Sequence, residues 1–374
     1  MLIKPRKLLL IVNVDYFLIS HRLEIALAAL KEGFEVHLAA KNTGRMDEIR
    51  KFGIYTHDIN LERSSTKINS ILDTMKDIKK VINRVDPSIL HFISIKPVIL
   101  GGIVMHFIKK EPLIISSISG LGQIYISTGF IGFIKKFVIN ILYSIAFFHK
   151  KIIVIFQNKS DLNLISSSIF LPLSKTRLIN GSGVDLKKFK FSPIPIGKPI
   201  ILFSARLIKS KGVIDFVDSA KAIGEKARFV ICGKIDYESK DHISQELLNY
   251  WIESGYIEYL GFSDNMEDIV KNSSIVVLPS YREGLPKSLC EAAACGRPVI
   301  TTNVPGCRDA IIPNKTGFLV ELRNKNQLVE KIKILINNPK LAEEMSINAR
   351  KLAENKFDRN KIVEDHLGIY REFN

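Results

Sequence analysis

Two carboxylates with a fixed spacing are the first candidates for chemistry. Glu283 and Glu291 are separated by seven residues, and Gly284, Leu285 and Pro286 directly follow the first of them. Proline favours the first turn of a helix, so we expect Glu283 in the preceding loop and Glu291 inside the helix. The N–H groups of Gly284 and Leu285 could then meet an anion, while both carboxylates accept hydrogen bonds from sugar hydroxyls. The alternative is that Glu283 only favours the helix dipole and Glu291 lies at the core edge.

Two cations form a second candidate group. Arg206 follows an apolar segment over residues 200–204, and Lys211 stands with Gly212 at the start of the next predicted helix. An arginine can bridge phosphate oxygens, and a lysine adds a compact positive charge beside the helix N-terminus. The pair is therefore a candidate diphosphate clamp, against the alternative of two solvated surface cations.

Alternating strands and helices are predicted to position these residues. The first half opens with a strand over 8–12, a helix over 20–32 and a strand over 34–40, and 89–95 is a further strand. The same rhythm restarts at residue 200. This alternation predicts an α/β fold with two Rossmann-like, doubly wound parallel-sheet domains facing a cleft. Ligands of such sheets bind beyond the carboxyl ends of the strands, where the four charged candidates fall.

A proline-rich segment separates the two halves. Residues 185–199 carry basic side chains followed by prolines at 193, 195 and 199. This linker composition predicts an N-terminal domain over 1–190 and a C-terminal domain over 191–374. The last helix is a candidate to pack back on the N-terminal domain.

Charge is distributed unevenly over the 374 residues. The formal net charge is +16, and residues 1–190 hold 28 Lys and Arg against 14 Asp and Glu. The remainder holds 26 against 24. The chain has no Cys/His finger spacing, no aromatic RNP-like run and no heptad zipper, so a nucleic-acid partner is not expected. The excess instead predicts attraction to an anionic membrane surface or to phosphates.

The apolar segment around residues 128–156 bears on the membrane question. Only residues 137–148 lie between Lys136 and His149, fewer than the roughly 20 that a spanning helix needs. With Lys135, Lys150 and Lys151 beside it, this segment suits an interfacial amphipathic helix, and a buried core helix is the alternative. Four cysteines without a CxxC pair favour reduced thiols in a cytosolic protein, with no zinc site.

At this point the sequence resembles a known family. The Glu-x7-Glu segment, the Arg206 and Lys211 pair, and the Leu-Gly at 260–261 are similar to glycosyltransferase family 4, retaining enzymes of GT-B fold that use nucleotide-sugar donors without a metal. The first half resembles, more narrowly, bacterial N-acetylgalactosaminyltransferases that extend a sugar on an undecaprenyl-diphosphate carrier. That resemblance rests on residues 119–122, on Tyr125, on residues 137–140 with Tyr143, and on Lys96 with residues 21–22. Ser182-Gly183 is inserted where the family runs from Asn-Gly directly to Val-Asp.

The resemblance implies a role for each matching position. The implied catalytic residues are Glu283, Arg206 and Lys211. The implied donor-binding residues are Arg206, Lys211, Gly261, Phe262, Glu283, Gly284, Leu285 and Glu291, with the diphosphate on the two cations, a sugar hydroxyl on Glu283, the ribose on Glu291 and uracil at 261–262. The implied acceptor-binding residues are His21, Lys96, Gly120 and Gly122. No metal and no cofactor are expected, and no Asp-x-Asp tripeptide occurs in the chain.

The resulting hypothesis is a retaining glycosyltransferase. It would move a hexose or N-acetylhexosamine, with N-acetylgalactosamine as the first choice, from a UDP-sugar to an undecaprenyl-diphosphate-linked saccharide. The product would be a surface polysaccharide, for example O-antigen, or a glycan intermediate. The expected location is the cytoplasmic face of the bacterial plasma membrane, as a peripheral protein. The alternatives are a UDP-sugar 2-epimerase of the same fold and a non-catalytic nucleotide-sugar-binding subunit.

Overall fold

The computed structural model describes residues 6–62 and 67–372, which form two compact units. Unit 1 comprises Met1–Ser182 and Lys361–Asn374, and unit 2 comprises Gly183–Asn360. Each unit has its own parallel sheet with helices packed on it.

Unit 1 is built around a seven-stranded sheet of order β3-β2-β1-β4-β5-β6-β7. Its elements in chain order are β1 (Lys7–Val14), α1 (Asp15–His21), α2 (Leu23–Lys31), β2 (Glu35–Lys41), α3 (Met46–Arg50), β3 (Tyr55–Asp58), α4 (Ile68–Val85), β4 (Ile89–Ile93), α5 (Ile95–Met105), β5 (Leu113–Ile118), α6 (Gly129–Phe147), β6 (Ile152–Phe156), α7 (Lys159–Ile169) and β7 (Thr176–Leu178). All pairings are parallel. Strands β4, β5 and β6 are buried throughout, which explains their nearly continuous apolar sequences.

Unit 2 has a six-stranded parallel sheet of order β10-β9-β8-β11-β12-β13. Its elements are β8 (Ile200–Ser204), α8 (Val213–Ile223), β9 (Arg228–Cys232), α9 (Gln245–Glu253), β10 (Glu258–Tyr259), α10 (Met266–Lys271), β11 (Ile275–Leu278), α11 (Lys287–Ala294), β12 (Val299–Thr302), β13 (Gly317–Val320), α12 (Lys325–Asn337), α13 (Pro339–Lys356) and the start of α14 (Arg359–Arg371). Strands β8 and β11 are neighbours although 70 residues of chain separate their ends. Loops that follow them therefore meet at one edge of the sheet.

The boundary between the units lies earlier than the linker composition predicts. Val184 and Phe189 belong to the core of unit 2, so the segment after Ser182 is already part of that unit. The buried Arg297 also donates hydrogen bonds to the carbonyl oxygens of Ser192 and Pro193, which fastens the proline-rich segment to unit 2. The predicted division at residue 190 is thus late by eight residues, because the proline-rich segment is packed.

The last helix, α14, returns to unit 1. Ile362, Leu367 and Tyr370 lie in the same core as strands β1 and β4. The Tyr370 hydroxyl is hydrogen-bonded to His91 Nδ1 at 2.7 Å inside that core. The chain end therefore stabilises the sheet that its first residues build.

Two local predictions in unit 1 are wrong. The expected single helix over 20–32 is split into α1 and α2, because Arg22 has φ −135° and interrupts the helical conformation. The fourth strand ends at Ile93 instead of Ile95, because Ser94 adopts φ 78° and turns the chain directly into α5. His21 therefore ends a helix, and Lys96 lies in the first turn of one.

Candidate active site

The site in unit 2 is formed by the loops after β8, β11 and β12. Lys211 ends a short 3₁₀ turn over Lys209–Lys211, and Glu283 lies in the loop between β11 and α11. The Lys211 ammonium and the Glu283 carboxylate form an ion pair, with side chains only 19% and 11% exposed. The structure therefore brings together two residues that lie 72 positions apart and were predicted for separate roles.

Glu283 is held by several neighbours besides Lys211. The Ser280 hydroxyl donates to Glu283 Oε1 at 2.7 Å, and the Glu283 N–H donates to the Pro305 carbonyl at 3.1 Å. Gly306 has φ 81°, and a Cβ atom there would overlap the backbone oxygen of Glu283. Only glycine fits at this close approach, so the loop after β12 holds the backbone of Glu283 in place.

Gly212 likewise allows a close backbone approach, next to Lys211. Its φ is 76°, and a Cβ atom would overlap the carbonyl oxygen of Pro279. The loop after β8 can therefore lie directly on the loop after β11, where the Tyr281 N–H donates to the Ser210 carbonyl at 2.9 Å. This contact places Lys211 against Glu283.

Arg206 has a different partner, Asp236 in the loop after β9. The two side chains form an ion pair, and the Leu207 N–H donates to the Lys234 carbonyl at 2.9 Å beside them. The predicted cations are thus each held by a carboxylate. These ion pairs orient the side chains of Arg206 and Lys211.

Glu291 lies in α11 and is buried, at 7% exposure. The Lys287 ammonium, one helical turn earlier, is 3.6 Å from its Oε1 atom. Burial raises the pKa of Glu291, and the positive charge of Lys287 opposes that rise. Gly284 and Leu285 are buried in the loop before this helix, and the binding of an anion by their N–H groups stays a prediction.

Gly261 and Phe262 follow the short strand β10. The Gly233 N–H donates to the Gly261 carbonyl at 2.8 Å, which joins the loops after β9 and β10. The Phe262 ring is exposed, and the Lys234 ammonium lies 5.5 Å from its centroid. An exposed aromatic ring beside a cation offers a stacking face for a planar anionic ligand.

The candidates in unit 1 occupy two places. Lys96 in α5 donates a hydrogen bond to the Glu62 carbonyl, and burial lowers the pKa of its ammonium. Gly122, in the loop after β5, lies against Ile95 of the same helix, and Gly120 precedes it with φ 109°. His21 lies at the end of α1, where its ring stacks on Phe17 at 4.5 Å and its Nδ1 is 2.7 Å from the Ser20 hydroxyl.

Three residues around the unit 2 site were missed by the sequence reasoning: Asp236, Ser280 and Gly306. Each follows a strand of the sheet, after β9, β11 and β12 respectively. The rule that ligands bind at carboxyl ends of strands could have flagged all three. Among the described residues, no group of three or more His, Cys, Asp or Glu side chains has an arrangement suited to a metal ion.

Comparisons with known proteins agree with this architecture. Residues 185–352 match the family model "Glycosyl transferases group 1", and residues 7–158 match "Glycosyl transferase 4-like". The structure of Anabaena HepE in complex with UDP matches with a TM-score of 0.78 at 14% identity, over 98% of this chain and all of that one. Two parallel-sheet units of this kind define a GT-B fold.

Sequence relatives point to the same class of enzyme. The chain is 34% identical over 278 residues to the Campylobacter jejuni N,N'-diacetylbacillosaminyl-diphospho-undecaprenol alpha-1,3-N-acetylgalactosaminyltransferase, covering 70% of this chain and 71% of that protein. It is 24% identical over 375 residues to the Escherichia coli UDP-Gal:alpha-D-GlcNAc-diphosphoundecaprenol alpha-1,3-galactosyltransferase, covering 91% and 89%. The chain therefore belongs to the glycosyl transferase family that these models describe, and it is a glycosyltransferase.

Proposed function

We propose that this enzyme transfers a hexose or N-acetylhexosamine from a UDP-sugar to an undecaprenyl-diphosphate-linked saccharide, with retention of configuration and without a metal. N-acetylgalactosamine is the donor sugar to test first, because the relative from Campylobacter jejuni is named for that transfer. The observation that carries the proposal is that two ion pairs, Lys211 with Glu283 and Arg206 with Asp236, lie in loops at the carboxyl edge of the unit 2 sheet.

The donor diphosphate would replace the carboxylates that pair with the two cations. A diphosphate competes with Glu283 for Lys211 and with Asp236 for Arg206, since phosphate oxygens accept strong charge-assisted hydrogen bonds from both cations. Release from Lys211 leaves the Glu283 carboxylate available for a hydroxyl of the donor sugar. Glu291 would bind the ribose, the amides of Gly284 and Leu285 the sugar or its phosphate, and the Gly261 and Phe262 loop the uracil.

The reaction follows from these contacts. The bond between the sugar C1 and the β-phosphate oxygen breaks, and a bond from C1 to the acceptor oxygen forms on the same face. The acceptor hydroxyl gives its proton to the departing phosphate, and the leaving group is UDP. Arg206 and Lys211 neutralise the charge that grows on that phosphate, the role a metal ion has in other transferases.

The acceptor is assigned to unit 1. We propose that Lys96 contacts the lipid-linked diphosphate, while His21, Gly120 and Gly122 position the acceptor sugar. Support comes from the printed substrates of the two relatives, both of them saccharides on undecaprenyl diphosphate. Such a lipid carrier requires the enzyme to work at a membrane surface.

Helix α6 is the proposed membrane contact. It has 19 residues, long and apolar enough by composition to cross a bilayer, yet one face packs into the unit 1 core through Ile139, Tyr143 and Ala146. Its other face exposes apolar side chains at helical spacing, namely Phe130, Ile131, Phe133, Ile134, Phe137, Val138, Ile141 and Ile145. A helix fixed to a sheet along one side suits an interfacial position, with peripheral attachment at the cytoplasmic leaflet.

A panel assay tests the proposal. Purified enzyme is offered UDP-N-acetylgalactosamine, UDP-galactose, UDP-N-acetylglucosamine or UDP-glucose with an undecaprenyl-diphosphate-linked saccharide, in EDTA. We expect one donor to give a product with the anomeric configuration of the donor, and no donor consumption without acceptor. Donor turnover in the absence of acceptor, an inverted product or a strict divalent-ion requirement would each overturn the corresponding part of the proposal.

A further inference from the structure

Two exposed phenylalanines lie just beyond the C-terminal ends of α6 and α7 and form a surface separate from the outward face of α6. Phe148 directly follows α6 and Phe170 directly follows α7, and these two residues are 82% and 91% exposed. Both line one groove of about 430 Å³, together with Lys150 and Lys175. We call this the α6–α7 groove.

The backbone conformation of Phe170 indicates that its exposed ring serves a role other than stabilising the fold. Its φ of 54° and ψ of 38° are left-handed, a conformation that costs an L-residue with a side chain roughly 1 kcal/mol. Glycine or asparagine commonly ends helices there without that cost. Because the ring is almost fully exposed, packing within the protein does not offset the strain.

The cations of the groove are held in place by the backbone around them. The Lys175 ammonium donates to the His149 carbonyl at 2.7 Å, and an ammonium has three N–H donors. The His149 ring in turn donates from Nε2 to the Gly102 carbonyl at 2.9 Å and stacks on His106 at 4.3 Å. The turn that carries Lys150 is therefore anchored to α5.

Charge over this part of unit 1 is mainly positive. Residues 112–182 contain seven Lys and Arg against a single acidic residue, Asp161. Asp161 is buried and accepts a hydrogen bond from Asn158, so it does not face the groove surface as an open carboxylate. A partner of this surface should therefore carry negative charge next to an apolar phase.

We propose that the α6–α7 groove binds the headgroup of an anionic phospholipid, with its phosphate on Lys150 and Lys175 and the Phe148 and Phe170 rings at the acyl-chain boundary. A free phosphate would need the cations only, whereas exposed aromatic rings beside them match a lipid. The proposal rests on the proposed work at a membrane and adds a second contact, separate from the outward face of α6. Two contacts along one helix would hold α6 parallel to the bilayer.

Vesicle co-sedimentation of the full chain tests this groove. The vesicles are phosphatidylcholine with or without phosphatidylglycerol, and the variants are Phe148→Ser with Phe170→Asn, and Lys150→Gln with Lys175→Gln. Asparagine tolerates the left-handed conformation, so we expect the aromatic variant to fold, and thermal unfolding checks both pairs. We expect roughly five-fold weaker binding to the anionic vesicles for each lysine removed, and a loss of at least that size for the aromatic pair.

Matched controls separate this site from general charge and apolarity. Ile196→Ser removes an exposed apolar side chain in unit 2, and Lys340→Gln removes an exposed cation there; neither should change vesicle binding. Binding by the groove variants at the wild-type level, or equal binding to vesicles without phosphatidylglycerol, overturns the proposal. Displacement by inorganic phosphate beyond that by chloride at equal ionic strength would assign the groove to free phosphate. Vesicle binding needs neither donor nor acceptor, so its failure is read separately from a failure of sugar transfer.

Discussion

Units 1 and 2 share one architecture but use their charges differently. Both have parallel sheets in which strand order reverses beside the first strand of the unit. In unit 2 the candidate cations are each paired with a carboxylate at the carboxyl edge of the sheet. In unit 1 the conspicuous feature is a helix layer with exposed apolar side chains and cations around it. Unit 1 holds 27 Lys and Arg against 16 Asp and Glu, whereas unit 2 holds 27 against 22.

This difference teaches that one fold can present two kinds of recognition. A site for a compact, highly charged ligand benefits from a few cations whose orientation is fixed in advance. A surface for a membrane benefits from many dispersed cations and apolar side chains, each contributing a little. The following experiments test that division, beginning with the largest expected effect.

The Lys211 and Glu283 pair should dominate turnover. We expect Lys211→Ala and Glu283→Gln each to lower kcat/KM for sugar transfer roughly 10²- to 10³-fold, as loss of a preoriented transition-state contact does. Lys209→Ala is the matched control, because Lys209 is exposed on the same 3₁₀ turn and should leave the rate unchanged. Steady-state kinetics with saturating acceptor measure the effect, and equal rates for the Lys211 and Lys209 variants would contradict the assignment.

Arg206 should matter for donor affinity as well as for turnover. We expect Arg206→Ala to weaken UDP binding roughly ten- to hundred-fold, the range for a charged hydrogen bond lost from a partly buried site. Arg228→Ala, which breaks an exposed ion pair with Glu258, provides the control. Isothermal titration with UDP compares them, and similar affinities in the two variants would count against a diphosphate role for Arg206.

Glu291 should show a conflict between binding and stability. Because burial raises its pKa, the folded chain keeps the proton at pH values where the unfolded chain has lost it. The contribution of Glu291 to stability therefore falls as pH rises from the ordinary carboxyl range through the raised pKa. We expect Glu291→Gln to remove this pH dependence while it weakens UDP binding roughly ten-fold.

Thermal unfolding at a series of pH values measures the contribution of Glu291 to stability, and titration with UDP measures its contribution to UDP affinity. A variant that keeps wild-type UDP affinity would refute the ribose role. A variant whose stability relative to wild type does not grow as the pH rises through that window would refute the burial penalty.

The two lysines within α6 should give the smallest single effects. We expect Lys135→Gln and Lys136→Gln each to weaken binding to anionic vesicles roughly five-fold, and added salt to weaken the binding of the wild-type enzyme. Lys333→Gln, an exposed lysine in unit 2, is the control. Vesicle binding that survives both neutralisation and salt would indicate that the positive charge of unit 1 has no part in membrane attachment.

Sequence patterns predicted much of the fold because strands and helices are local. Apolar segments predicted the strands β1, β2, β4 and β8, and the motif around Glu283 predicted the helix α11, although Pro286 lies directly before this helix instead of in its first turn. Boundaries failed where single residues adopt unusual backbone angles, as at Arg22 and Ser94. The predicted domain boundary at residue 190 was also late, because unit 2 begins at Gly183. A proline-rich composition does not reveal that the segment packs on unit 2, where Arg297 donates a hydrogen bond to the Pro193 carbonyl.

The candidate site shows the same division more sharply. By itself the sequence determined which residue types are present and that each follows a strand, so Arg206, Lys211, Glu283 and Glu291 were found by position. Only the tertiary structure decided that Lys211 pairs with Glu283 and Arg206 with Asp236. The order of the strands brings those loops together, and glycines at 212 and 306 let them touch. The face of α6 that remains outside was likewise decided by packing, because its apolar residues have the same character on every side.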